Sequence, residues 1–255
     1  MKVIAIIPAR MNSSRFPGKP MAKIHGIPMI GHCYYRTRFC NDLIKTYVAT
    51  CDQEIYDYIK SIGGDAIMTS NIHERATDRT AEAMLKVEQQ LSYKVDVVVM
   101  VQGDEPMVTP EMISESIAPF VSDNDVNVVN LMAHIEATDE FEDPNEVKVV
   151  ADKLGNAIYF SREPIPSRKK YSEDIPMLKQ VCIIPFRRDY LLKFNETPET
   201  QLERIESVDM LRIIENGDKV KMVLTKEKTF SVDTKAELLR VENEMKEDSF
   251  MKKYI

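Results

Sequence analysis

Three cations stand in one short turn: Arg10, Arg15 and Lys19, interleaved with Asn12, Ser13, Ser14 and Gly18. They follow directly on Val3-Ile4-Ala5-Ile6-Ile7, a β-branched run of the kind buried on both faces of a parallel sheet. Positive side chains bring charge to a polyphosphate, and the exposed backbone N–H groups of a turn can cradle its oxygens. A second turn has the opposite character. The strand-like run Val95–Val101 ends in Gln102-Gly103-Asp104-Glu105-Pro106. A carboxylate there suits a divalent cation held against phosphate, because magnesium takes one or two carboxylates together with substrate oxygens and water. Gln102 offers both a donor and an acceptor to a base or sugar, and Gly103 would let the backbone come close to a ligand. Taken alone, this stretch is equally an ordinary strand-to-helix turn. The two turns gain meaning as a pair, since an open parallel sheet gathers its ligands at the carboxyl ends of its strands.

Further candidates are scattered along the chain. In Phe230-Ser231-Val232-Asp233-Thr234, Asp233 is either a second metal carboxylate or a helix N-cap, a role Thr234 can equally fill. Ala76-Thr77-Asp78-Arg79 opens a helix that Thr77 or Asp78 can cap, with Arg79 either a first-turn charge or directed into the ligand crevice. Arg162, ahead of Pro164 and Pro166, sits on a stiff extended segment and is either a carboxylate clamp or a surface arginine. Glu203-Arg204-Ile205-Glu206 lies on a helix predicted over Thr200–Glu215, where such a run reads first as a solvated face.

The elements that must position these residues alternate. Strands are predicted at Val3–Ile7, Thr46–Thr50, Ala66–Thr69 and Val95–Val101, with helices at Ile30–Phe39, Gln53–Ile62, Thr77–Leu91 and Pro110–Phe120. This βαβα order means a right-handed, doubly wound, mostly parallel sheet. The second half departs from it. A strand over Val126–Ile135, a hairpin from Val147–Ala151 to Asn156–Phe160 and a strand over Val181–Phe186 precede the Thr200–Glu215 helix. Short strands at Lys219–Leu224 and Thr229–Val232 and a helix over Lys235–Lys246 follow. The expected fold is α/β: one domain over 1–255, with an inserted antiparallel lobe near 126–200.

The 255 residues are 44% hydrophobic and 29% charged, an ordinary globular composition. A net charge of -7 repels nucleic acid and anionic membranes on average, so neither is an expected partner. A local cationic cluster still governs its own pocket, because screening cuts off exposed charge within roughly 8 Å. No apolar run is long enough to span a bilayer. Cys33, Cys40, Cys51 and Cys182 form no C-x-x-C pair, and His25, His32, His73 and His134 show no zinc spacing. No signal-like segment precedes the first strand, and reduced thiols in a cytoplasm are the expected setting.

Together the motifs resemble the 3-deoxy-manno-octulosonate (KDO) cytidylyltransferases. The matching stretches are IIPAR and RFPGKP within Ile6–Pro20, VAT at Val48–Thr50, ATDR at Ala76–Arg79 and VQGDEP at Val101–Pro106. The series continues with VKVV…GNAIYFSREPIP at Val147–Pro166, ERIESVDMLRIIENG at Glu203–Gly217 and SVDT at Ser231–Thr234. The resemblance implies a Rossmann-like nucleotidyltransferase sheet and a sugar-binding lobe that also forms a homodimer. It further implies transfer of CMP from CTP to an ulosonic acid with Mg2+, releasing pyrophosphate. By resemblance Arg10, Ser13, Arg15 and Lys19 take the CTP phosphates, with Arg15, Lys19 and Asp104 catalytic. Arg79 lies near the nucleotide and Gln102 contacts nucleotide or sugar. Asp104 and Asp233 hold the metal, and Arg162, Gln180 and Glu206 line the sugar pocket. The sequence departs from the family pattern at several places. Gln180 stands where the family has His, Ile184 where it has Tyr, Met210 where it has Gln, Cys51 where it has Asp and Ala76 where it has Gly. The expectation is an acceptor that is KDO or a related acidic sugar, less hydroxylated, amino-bearing or acylated, because polar contacts of a pocket that discriminates by bonding hydroxyls are replaced. The alternatives are another acidic or phosphorylated acceptor, or a catalytically silent nucleotide-binding protein.

Overall fold

Seven consecutive buried residues, Val3–Ala9, form β1. The computed structural model describes residues 1–13, 15–169 and 175–255; Ser14, one of the polar residues of the first turn, lies outside them. The chain divides into two units, Met1–Ser114 with Lys228–Ile255, and Glu115–Glu227.

In the first unit β1 is followed by the two-residue strands β2 (Lys23–Ile24) and β3 (Ile27–Pro28), helix α1 (Met29–Arg38), β4 (Lys45–Thr50), α2 (Gln53–Ser61), β5 (Ala66–Met68), α3 (Ala76–Leu91) and β6 (Val97–Val101). Four of these strands are parallel, in the order β6-β1-β4-β5. Every residue of β6 is buried. That is what a Val-rich strand covered on both faces requires, and each such side chain contributes about 1.5–3 kcal/mol of burial. Because β1 and β6 are direct neighbours, the cationic turn after β1 and the acidic turn after β6 emerge side by side.

The division between the units falls within α4 (Pro110–Ser122). The second unit then holds β7 (Val129–His134), α5 (Thr138–Glu142), β8 (Lys148–Ala151), β9 (Ala157–Ser161), β10 (Leu178–Val181), β11 (Ile183–Arg187), α6 (Arg188–Glu196), α7 (Gln201–Glu206), α8 (Met210–Glu215) and β12 (Lys221–Leu224). Its sheet runs β12-β7-β10-β8-β9, antiparallel except where β12 lies parallel to β7. Helix α9 (Lys235–Glu244) belongs to the first unit again.

Three sequence expectations are corrected. The helix predicted over Thr200–Glu215 is two helices, broken where Ser207 takes a left-handed φ of 53°. The break folds α8 back on α7, and Glu203 is buried rather than on a solvated face. Its carboxylate receives Arg212 Nη2 at 2.6 Å and Nε at 2.8 Å. The strand predicted over Val181–Phe186 is likewise two strands, β10 and β11. The Thr229–Val232 segment is irregular instead of a strand.

Helix α1 is tied to the end of the chain. His32 is fully buried, its Nε2 2.9 Å from the Ile24 carbonyl and its Nδ1 2.8 Å from the Tyr254 hydroxyl. A carbonyl only accepts, so Nε2 carries the proton and Nδ1 accepts from Tyr254. Burial, reinforced by the Arg36 guanidinium, outweighs the bond to Ile24 and lowers the imidazole to about 4. Because the folded pKa lies below the unfolded one, the stabilising contribution is complete above about pH 6.5. It is lost as pH falls towards 4, amounting to about 3 kcal/mol. The expected result is that the His32 ring protons show no NMR titration between pH 8 and 5. A midpoint near 6.5 would refute it.

Candidate active site

The turn after β1 is shaped by its own backbone. Gly18 adopts a left-handed φ of 76°, which glycine takes at no steric cost, and its N–H donates to the Met11 carbonyl at 3.0 Å. Met11 N–H donates in turn to the Asp52 carboxylate, just beyond β4, at 2.8 Å. The closed loop delivers Lys19 into the interior, where it is only 8% exposed.

The acidic turn meets it closely. At Gly103 a Cβ would stand 3.0 Å from the Pro8 carbonyl, so this glycine lets the tips of β1 and β6 pack together. The close approach seen here is to the neighbouring strand, where the sequence suggested a ligand. Lys19 Nζ then lies 2.9 Å from Asp104 Oδ2 and 3.0 Å from Asp233 Oδ1. Arg15 Nη2 lies 2.8 Å from the other Asp233 oxygen. Burial is the largest single influence on the Lys19 ammonium and pulls its pKa down. The two carboxylates together outweigh it, and the net shift is upward, so Lys19 stays charged.

Asp233 reaches this place without regular structure. Val232 N–H donates to the Asp104 carbonyl at 3.0 Å, pinning the segment beside the acidic turn. The cap of α9 is Thr234, which accepts from Glu237 N–H. The Glu237 carboxylate receives the N–H groups of Asp233 and Thr234 at 2.6 and 2.7 Å. The capping box leaves the Asp233 carboxylate to the cations.

These groups open onto one cavity of about 270 Å³ lined by Arg10, Asn12, Ser13, Arg15, Lys19, Gln102, Gly103, Asp104 and Asp233. Its further wall is the loop before α3, with His73, Glu74, Arg75, Ala76 and Arg79. Arg79 is buried, and its guanidinium donates to Thr69 Oγ1 at 2.5 Å, to the Ser70 carbonyl at 3.2 Å and to the His73 carbonyl at 3.3 Å. It lines the cavity while holding the loop. The cap of α3 is Arg75 rather than Thr77 or Asp78. Sequence reasoning missed His73, because a lone histidine among four carries no spacing signal. It also missed Glu82, whose position one turn beyond Arg79 on α3 was the available clue.

Asp104 and Asp233 have the donor chemistry of a divalent-cation site. Asp104 Oδ1 is buried with no hydrogen-bond partner among the described residues, an acceptor left open in the cavity that the Asp233 carboxylate also lines. Among the described residues no three His, Cys, Asp or Glu side chains gather to hold a metal by themselves. The donor set therefore fits an ion that takes two carboxylates and completes its shell from phosphate and water, as magnesium does.

The remaining candidates lie in the second unit. The Glu206 carboxylate accepts from Ser161 Oγ at 2.9 Å, Arg162 N–H at 2.8 Å and Tyr159 Oη at 3.2 Å. Arg162 donates through Nε to the Glu206 carbonyl at 2.7 Å and through Nη1 to the Pro144 carbonyl at 2.8 Å. Buried Lys148 supports the same corner by donating to the carbonyls of Asp143, Glu146 and Arg162. Gln180 donates to Asn130 Oδ1 at 2.6 Å, and Asn130 is itself fixed by the carbonyls of Leu131 and Val181.

A parallel α/β sheet that presents a cationic loop and an acidic turn at adjacent strand tips, with the Asp233 carboxylate brought in beside them, is the arrangement of a nucleotidyltransferase. Comparison with known proteins narrows the class. Residues 4–228 match the family model described as cytidylyltransferase. A 3-deoxy-manno-octulosonate cytidylyltransferase of Geobacter metallireducens is 39% identical over 94% of this chain and 96% of its own length. Its counterpart from Thermodesulfovibrio yellowstonii is 42% identical over 93% and 96%. Among solved structures, CMP:2-keto-3-deoxy-manno-octonic acid synthetase complexed with CTP superposes with a TM-score of 0.87 at 37% identity, covering 96% of this chain and 98% of that one. The chain belongs to the cytidylyltransferase family. No helix among the described residues is long and apolar enough to cross a membrane.

Proposed function

We propose that this protein transfers CMP from CTP to the anomeric hydroxyl of KDO or a closely related acidic sugar, releasing pyrophosphate, with Mg2+ held by Asp104 and Asp233. The observation that carries the reading is the Lys19 ammonium, buried between the Asp104 and Asp233 carboxylates in a cavity that also holds Arg10, Arg15 and Gln102. Family membership, and relatives whose names state KDO as acceptor, support the choice of substrates.

In the reaction the sugar hydroxyl attacks the α-phosphorus of CTP in line and the bond to the β-phosphate oxygen breaks. Such a transfer needs positioning and charge neutralisation more than a covalent intermediate. Lys19, Arg15 and Arg10 bind the phosphates and offset the charge that gathers on departing pyrophosphate. Ser13 and the backbone of its turn add donors, and Gln102 orients nucleotide or sugar. Asp104 and Asp233 would hold the metal, whose charge would offset that of the phosphates and favour ionisation of the attacking hydroxyl. In the second unit Arg162, Gln180 and Glu206 are assigned to the acceptor. Glu206 and Arg162 are held rigid by the bonds described above, and such preorganisation lowers the cost of binding. The working form is proposed to be a homodimer in the cytoplasm.

Pyrophosphate release on mixing the protein with CTP, Mg2+ and a panel of acidic sugars tests the reading. Turnover with KDO or an amino-bearing or less hydroxylated analogue supports it. CTP binding without turnover on any acid, or turnover only with a sugar 1-phosphate, overturns it.

A further inference from the structure

The loop Thr69–Arg75 has no regular secondary structure, yet it forms one wall of the nucleotide cavity. Two neighbouring side chains of α3 hold it. Arg79 binds the carbonyls of Ser70 and His73. Glu82, one turn further on, completes the hold: its Oε2 accepts the Ser70 N–H at 2.9 Å and contacts His73 Nε2. An ionised carboxylate has no proton to give, so Glu82 accepts here and an imidazole proton sits on Nε2. The remaining Glu82 oxygen takes Lys86 at 2.7 Å, so its charge is balanced on the solvent side. Burial works against ionisation of Glu82, but the donors from Lys86, Ser70 and His73 prevail and keep its pKa at about 2. None of these contacts serves the sheet core. They converge on a loop whose His73, Glu74 and Arg75 line the cavity.

We propose that Glu82 is a positioning residue for the nucleotide, acting through His73 and the Ser70 backbone to hold the cavity wall in its binding shape. The inference rests on the reading that this cavity takes CTP. Glu82 is absent from the lining, so its effect must pass through the loop.

Titration calorimetry of the intact protein with CTP, alongside steady-state KM values, tests it. Glu82→Gln keeps the size of the side chain but gives up the carboxylate's two-donor grip. It is expected to weaken CTP binding by about tenfold, the scale of one lost charge-assisted hydrogen bond, and to raise the KM for CTP equally. The KM for the acid and the thermal midpoint should stay near those of the parent. Glu82→Asp should recover part of the affinity. CTP affinity of Glu82→Gln within twofold of the parent, or a loss matched by a fall in thermal midpoint and a rise in both KM values, overturns the proposal. A parent protein that binds no CTP would instead overturn the assignment of the cavity.

Discussion

Asp104→Asn is expected to lower the rate of CMP transfer by at least 10²–10³-fold, the scale seen when one preorganised charge-stabilising group is lost. The substitution is nearly isosteric, and the Asp104 backbone carbonyl keeps its bond to Val232, so the turn should stand. What changes is charge. One of two carboxylates proposed to hold the cation becomes a neutral amide, and Lys19 loses its nearer partner at 2.9 Å. Two effects then combine, because the ion is held more weakly and the ammonium is less firmly placed. Raising Mg2+ should recover only the first. Rates measured by pyrophosphate release as Mg2+ is raised to saturation should climb yet stay well below the parent. A variant within threefold of the parent at low Mg2+ would refute the role.

The parts of this site legible in the sequence were those carried by strand tips. A β-branched run that ends in Arg, Ser and Lys, and another that ends in Gly-Asp-Glu-Pro, announce both their location and their charge, because parallel strands expose their ends where ligands bind. That the two tips are neighbours was an expectation from the open parallel sheet, and the pairing of β1 with β6 supplies it. What spacing left open was Asp233, and the structure shows why. The Thr234-Lys235-Ala236-Glu237 spacing is itself a capping-box signature, so Thr234 as the cap was legible; what was not is that Asp233 then meets Lys19 and Arg15, contacts distant in sequence. The broken helix after Glu206 was illegible for a related reason. Thr200–Glu215 has continuous helical pattern, and the break at the left-handed Ser207 comes with a contact that pattern does not show, Arg212 against buried Glu203. The loop before α3 gave no signal at all, since its role is set by side chains of the following helix and not by its own composition.

Lys19 yields an expectation with two opposite signs. Lys19→Met removes the cation that pairs with both carboxylates and is proposed to neutralise departing pyrophosphate, so turnover should fall by about 10²–10³-fold. The same change should strengthen binding of a divalent ion to the protein without nucleotide. Like charges about 4 Å apart repel by roughly 1–4 kcal/mol between the dielectric of water and that near a protein surface. The ammonium stands where it opposes any second cation approaching Asp104 and Asp233. Mn2+ titration followed by electron paramagnetic resonance should therefore show affinity at least about tenfold tighter in Lys19→Met than in the parent, each measured without CTP. A merely structural lysine would lower activity and leave Mn2+ affinity unchanged or weaker. Loss of turnover with gain of metal affinity is thus the signature of one ammonium that both counters the carboxylates at rest and serves the phosphates in the reaction.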